Sequence, residues 1–137
     1  NDAASSSSTS CTDVSGLSVS STPSSTSSKI LVLANVMLGS DQDAGIKLQR
    51  GSTDIAIGTG SSGFNCLGQS APGPNSDLKY APQQSSISHL DSPNTTSSTT
   101  YKIQFRTLAG GTIYINRRSI ANSFIGASSI TVMEIAA

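Results

Sequence analysis

From Lys29 onward the apolar residues fall at every second position, and no stretch shows capped, helix-spaced apolar residues. That period restricts the chain to strands. It predicts strands over residues 29–38, 44–50, 53–58, 86–90, 100–107, 111–117 and 128–135. Turn chemistry separates them: Gly39, Ser40 and Asp41 follow the first run, and Arg50, Gly51 and Ser52 make a tight connection. Ala109, Gly110 and Gly111 are expected to close a hairpin between 100–107 and 111–117. Short strands at this spacing imply an all-β fold, an antiparallel jelly-roll-like β-sandwich spanning residues 29–137.

The alternation also assigns faces. Tyr101, Ile103 and Phe105 share one side of their strand while Lys102, Gln104 and Arg106 share the other, so one side meets a core and the other water. In 29–38 both sides are apolar. Ile30, Val32, Ala34, Val36 and Leu38 oppose Leu31, Leu33 and Met37. Such a strand needs a second cover, which a subunit interface or the long Gly/Pro/Asn/Ser loop of residues 59–85 would supply.

Residues 1–28 form a Ser/Thr-rich arm whose composition cannot by itself offset its ordering entropy. The arm is expected to contribute little to any core, and either to add a strand (Gly16 to Val19 alternates suitably) or to lie against a neighbouring subunit. Charged residues make up only 12% of the chain, and eight Lys and Arg offset eight acids. No basic stripe marks a nucleic-acid binder. No apolar run reaches the roughly 18–20 residues of a membrane helix, and no secretory leader is expected at the N-terminus.

Catalytic and metal chemistry is poorly served. His89 is the one histidine, and His89 with Asp91 on one strand face falls far short of the geometry a Ser-His-Asp triad demands. Glu134 is expected to pair with a cross-strand Arg or Lys. Asp41, Asp43 and Gly45 open like a calcium loop, but the later acidic ligands are missing and a polar turn is the reading. Gly58, Gly60 and Gly63 lack the lysine and helix of a phosphate cradle. Asn94, Thr95 and Thr96 match a glycosylation acceptor by chance. Cys11 and Cys66 either stay unpaired or make one bridge between the arm and the loop. No catalytic residue, cofactor or metal is assigned. Arg117 and Arg118, with Asn65 and Asn75 on the long loop, are the candidate receptor or subunit contacts.

The order Leu90-Asp91-Ser92-Pro93, Tyr101-Lys102-Ile103-Gln104-Phe105, Gly111-Thr112-Ile113-Tyr114-Ile115-Asn116 and Ser129-Ile130-Thr131-Val132-Met133-Glu134-Ile135 resembles the C-terminal domains of bacteriophage virion surface proteins, tail fibres above all. The likeness runs over about residues 29–135. It implies a compact homotrimeric head similar to the TNF/C1q arrangement. On that resemblance the chain is expected to be a non-enzymatic virion protein, assembled in the host cytoplasm and displayed on the virion surface. As a tail-fibre or receptor-binding head, it would contact other virion proteins and a host polysaccharide or outer-membrane receptor through loops 59–85 and 117–127. The rival expectation is a capsid decoration (cement) protein whose arm reaches across neighbouring capsomers.

Overall fold

A computed structural model describes residues 4–58, 81–107, 110–120 and 124–136. Among these residues there is no helix. Nine strands follow one another: β1 (Ala4–Ser6), β2 (Thr12–Ser21), β3 (Lys29–Ser40), β4 (Ala44–Arg50), β5 (Thr53–Ile55), β6 (Gln83–Asp91), β7 (Thr99–Thr107), β8 (Ile113–Ile115) and β9 (Ser129–Ile135). They form two antiparallel sheets. One has the order β1-β8-β3-β6, with β9 also paired to β3; the other has the order β2-β7-β4-β5.

β3 organises the first sheet. One edge runs along β6, from Ile30 opposite Asp91 to Leu38 opposite Gln83. Its other edge is shared, first by β9 (Lys29 opposite Ile135 to Asn35 opposite Ser129) and then by β8 (Leu38 opposite Ile115). The inward residues Ile30, Val32, Val36 and Leu38 are completely buried, as the alternation predicts. They share one core with Ile46 and Leu48 of β4, Tyr101, Ile103 and Phe105 of β7, and Ile113 and Ile115 of β8. Burying such a side chain contributes about 1.5–3 kcal/mol, so this shared interior is what holds the two sheets face to face.

Two expectations are corrected. The Ser/Thr-rich segment, described from Ala4 onward, adds strands, which is one of its two expected courses, but it does not stay outside the core. β1 pairs with β8 and β2 pairs with β7, and Val14 and Leu17 are buried in the common interior. The register of β2 shifts between Asp13 (opposite Gln104) and Ser18 (opposite Lys102), which leaves a bulge with Gly16 at a left-handed φ of 79°. Val14 and Leu17 turn inward from this bulge, while Ser15 and Gly16 stay exposed.

Nor do β7 and β8 form a hairpin, since they lie in different sheets. Gly110 and Gly111 turn a corner between sheets, and the β3–β4 connection turns a second corner beside it. The two corners are bonded together: Thr112 donates its N–H to Asp41 Oδ1 at 2.7 Å, and the Ser40 hydroxyl donates to Thr112 O at 3.1 Å. A sheet-switching corner and a hairpin need the same turn residues, so the glycines alone do not distinguish them. The tight β4–β5 connection is a true hairpin, with Arg50 opposite Thr53 and Gly51 at φ 58°.

Candidate functional site

The two outward faces differ in kind. Outward from β3 point Leu31 and Leu33, which stand beside Leu90 of β6 and Met133 of β9; both of these lie opposite Leu31 in the register. Leu90 is 50% exposed, and Leu33, Met133 and Ile135 are exposed as well. Farther along β3 the segment after β8 lies over the same face. A Cβ on Gly39 would fall 2.7 Å from the Arg117 carbonyl oxygen, and one on Gly126 would strike the Met37 side chain. That segment exposes Ile120, Phe124 and Ile125. Every exposed large hydrophobic among the described residues therefore lies on this sheet's outer side. Asn35 interrupts the row; its Oδ1 accepts the Ser86 hydroxyl at 2.6 Å.

Arg117 and Arg118 sit at the end of this face. Asn116, fully buried with φ 65°, turns the chain out of β8. Its N–H bonds Met37 O at 2.8 Å, and its Oδ1 accepts the Ser128 hydroxyl at 2.6 Å. The two guanidiniums then stack on rings, Arg117 at 3.9 Å from the centre of Tyr114 and Arg118 at 4.4 Å from that of Phe124. Such a contact is worth about 0.5–1 kcal/mol at an exposed site. Arginine and aromatic residues are among those enriched at protein interfaces. Asn65, Asn75 and Cys66 fall outside the described residues, as does most of the predicted 59–85 loop; Cys11 is half-buried.

The opposite sheet presents a polar face built twice on one plan. Lys47 and Gln49 of β4 face Gln104 and Lys102 of β7 across the ladder. Asp54 of β5 lies opposite Gln49 and Asp13 of β2 opposite Gln104. Each aspartate is gripped by the glutamine facing it and by the lysine two residues before. Asp54 takes Gln49 Nε2 at 2.7 Å and Lys47 Nζ at 2.8 Å; Asp13 takes Gln104 Nε2 at 2.6 Å and Lys102 Nζ at 2.9 Å. These donors hold both carboxyls below their ordinary range, Gln104 foremost for Asp13 and Lys47 foremost for Asp54. The repeated Lys-x-Gln was visible in the sequence, but its meaning needed the register.

Beside Asp13 the β2 bulge opens a cleft of about 550 Å³ over β7. Its lining is Asp13, Val14, Ser15, Gly16, Ser18, Gly51, Thr100 and Lys102. Gly51 closes the far side, and its N–H bonds Thr100 O at 2.7 Å.

Asp91 is buried between the sheets and accepts Arg50 Nη1 at 2.8 and 3.0 Å and the Tyr101 hydroxyl at 2.7 Å. Burial foremost, then the bond to Asp91, pushes the Tyr101 hydroxyl well above its ordinary pKa. No hydrogen bond joins His89 to a serine among the described residues. Glu134 accepts the backbone N–H and hydroxyl of Ser24 at 2.8 and 2.6 Å, in place of the cross-strand cation expected for it. Those bonds lower its pKa. Asp41 serves the corner described above. Among the described residues no three His, Cys, Asp or Glu side chains converge as a metal site, and no helix is long and apolar enough to cross a membrane. No protein-family model matches the chain, and no curated protein matches its sequence.

Proposed function

We propose that the chain is a non-enzymatic structural protein of a bacteriophage particle, the trimeric head of a tail fibre or spike that attaches the virion to its host. The observation that carries this reading is the segregation of surface. All the exposed large hydrophobics described lie outside the β6-β3-β9 sheet, whereas the other sheet turns out an ion-paired polar face. Exposed apolar side chains gathered on one face favour an interaction surface. Packing three copies by this face about an axis covers Leu31, Leu33, Leu90 and Met133. The strand orders β1-β8-β3-β6 and β2-β7-β4-β5 support a jelly-roll topology, an architecture of viral capsid and lectin domains. The Asp91 carboxylate is already bonded to Arg50 and Tyr101, which favours a structural role over a catalytic one.

The decoration reading rests on an arm that reaches to neighbours. Folding of β1 and β2 into the two sheets weighs against it. Sedimentation equilibrium tests the assembly: three chains are expected for the parent, and folded monomers for Leu33→Glu and Leu90→Glu. A parent that stays monomeric at micromolar concentration overturns the trimer. Competition tests the role: free domain should displace particles from host cells. Tight binding to emptied capsids without cell competition would replace attachment with decoration.

A further inference from the structure

The β2-bulge cleft belongs to neither the apolar face nor the Asp91 clamp, and its construction points to a ligand. At about 550 Å³ it falls in the size range of small-molecule sites, roughly 300–1,000 Å³. Both walls are set before any ligand arrives. On one side, Ser15 and Gly16 are held out by Val14 and Leu17, which are 3% and 1% exposed. On the other, Gly51 is fixed by its bond to Thr100 O. A bulge is a recurrent way to re-aim a strand beside a binding site, and walls already in place spare a ligand the ordering cost.

The lining chemistry selects the ligand class. Asp13 uses its two oxygens on Gln104 and Lys102, yet a carboxylate has about four acceptor directions, so lone pairs remain. Lys102 donates to Asp13, and an ammonium has three N–H groups in all. The Ser15, Ser18 and Thr100 hydroxyls add groups that both donate and accept. Paired with each other, Asp13 and Lys102 leave the cleft without net charge, so neither an anion nor a cation is matched there. A neutral molecule with adjacent hydroxyls is matched, because one hydroxyl can donate to the carboxylate while its neighbour accepts from the ammonium.

We infer that this cleft is a subsite for a neutral saccharide unit. The inference rests on the attachment reading for its biological sense and names the ligand class that such attachment would use. Among the described residues no aromatic ring lines the cleft, so they offer no stacking platform and one site binds weakly. Three sites on one head would then act together through effective concentration.

The test is a titration of the isotope-labelled full chain by NMR. The probes are D-glucose, D-galactose and N-acetyl-D-glucosamine, with inorganic phosphate and calcium chloride as charge controls. At least one sugar should move the amides of Ser15, Gly16, Gly51 and Lys102 saturably, and neither control should. Ser15→Trp, which fills the cleft from an exposed position, and Asp13→Asn, which keeps the shape, should each remove the response. If no sugar moves these amides, or if both variants respond like the parent, the subsite is overturned. Host-cell competition by the same preparation separates the two claims. Competition without sugar shifts rejects the cleft and keeps attachment; sugar shifts without competition keep the cleft and reject attachment.

Discussion

Replacing Asp91 with alanine should be among the most damaging single changes to this fold that remove no core hydrocarbon. Asp91 is 5% exposed and holds the sheets together by accepting Arg50 from β4 and Tyr101 from β7. Without it the Tyr101 hydroxyl, on a residue with no exposure, is left unpartnered, which costs about 1–3 kcal/mol. The Arg50 side chain retains 28% exposure and can rehydrate, so its share is nearer that of a surface pair, about 1 kcal/mol or less. Together these place Asp91→Ala at about 3 kcal/mol, the low end for breaking a buried pair. Tyr101→Phe removes one bond to a charged acceptor but leaves Asp91 with Arg50, and should cost about 1.5 kcal/mol. The double variant has no hydroxyl to orphan, so its cost should fall short of the sum by about 1–2 kcal/mol. Urea unfolding at one fixed protein concentration measures all three. A cost under about 1 kcal/mol for Asp91→Ala, or additivity within about 0.5 kcal/mol, would refute the clamp.

Leu17→Ala should cost about 2–5 kcal/mol in thermal or urea unfolding, because Leu17 is 1% exposed within a segment that reads as an arm; an effect near zero would return residues 1–28 to appendage status. Asp13 and Asp54 titrate lower in the fold than in the unfolded chain, so they stabilise above the unfolded value of about 3.9 and that stability is lost as pH falls through the lowered value. The melting temperature should therefore drop on acidification below about pH 4, and the Asp13→Asn/Asp54→Asn double variant should show a shallower drop. Gly39→Ala should cost about 1–3 kcal/mol and perturb the near-ultraviolet signal of Tyr114 and Phe124, since its methyl meets the Arg117 and Arg118 backbone. Gly126→Ala should be milder, because the Met37 side chain it meets can change rotamer.

Local strand content was legible because a period of two is a local property. The pattern over 44–50 has the bounds of β4, and that over 29–38 stops two residues short of the end of β3. Pairing was not legible. Alternation tells which side chains share a face but not which strand lies alongside, so Gly110 and Gly111 read as a hairpin when they turn a corner between sheets. The contribution of residues 12–21 to the core was hidden for a different reason. The alternation over Gly16 to Val19 marks an added strand, but Val14 and Leu17 are spaced by three across a bulge, so no period of two puts both of them in the core. The Arg117–Arg118 pair stood out by charge, but the Tyr114 and Phe124 rings beneath it required coordinates. The two gripped aspartates were invisible because neither pairs within its own strand.

If the β6-β3-β9 face is the interface of the head, Arg117 and Arg118 lie beside that interface and not on the surface that meets a host. They share a side with Ile125, which is 74% exposed, and their guanidiniums are stacked on Tyr114 and Phe124. Stacked arginine beside exposed apolar side chains suits subunit contact, where truncation costs more than about 1 kcal/mol at the few positions that carry the binding energy. Arg118→Ala should therefore raise the trimer dissociation constant by about tenfold or more, as sedimentation at several concentrations would read. Host-cell competition, scored at concentrations where the variant remains trimeric, should stay at the parent level. The opposite split, unchanged assembly with lost competition, would move receptor binding to this corner and away from the β2-bulge cleft.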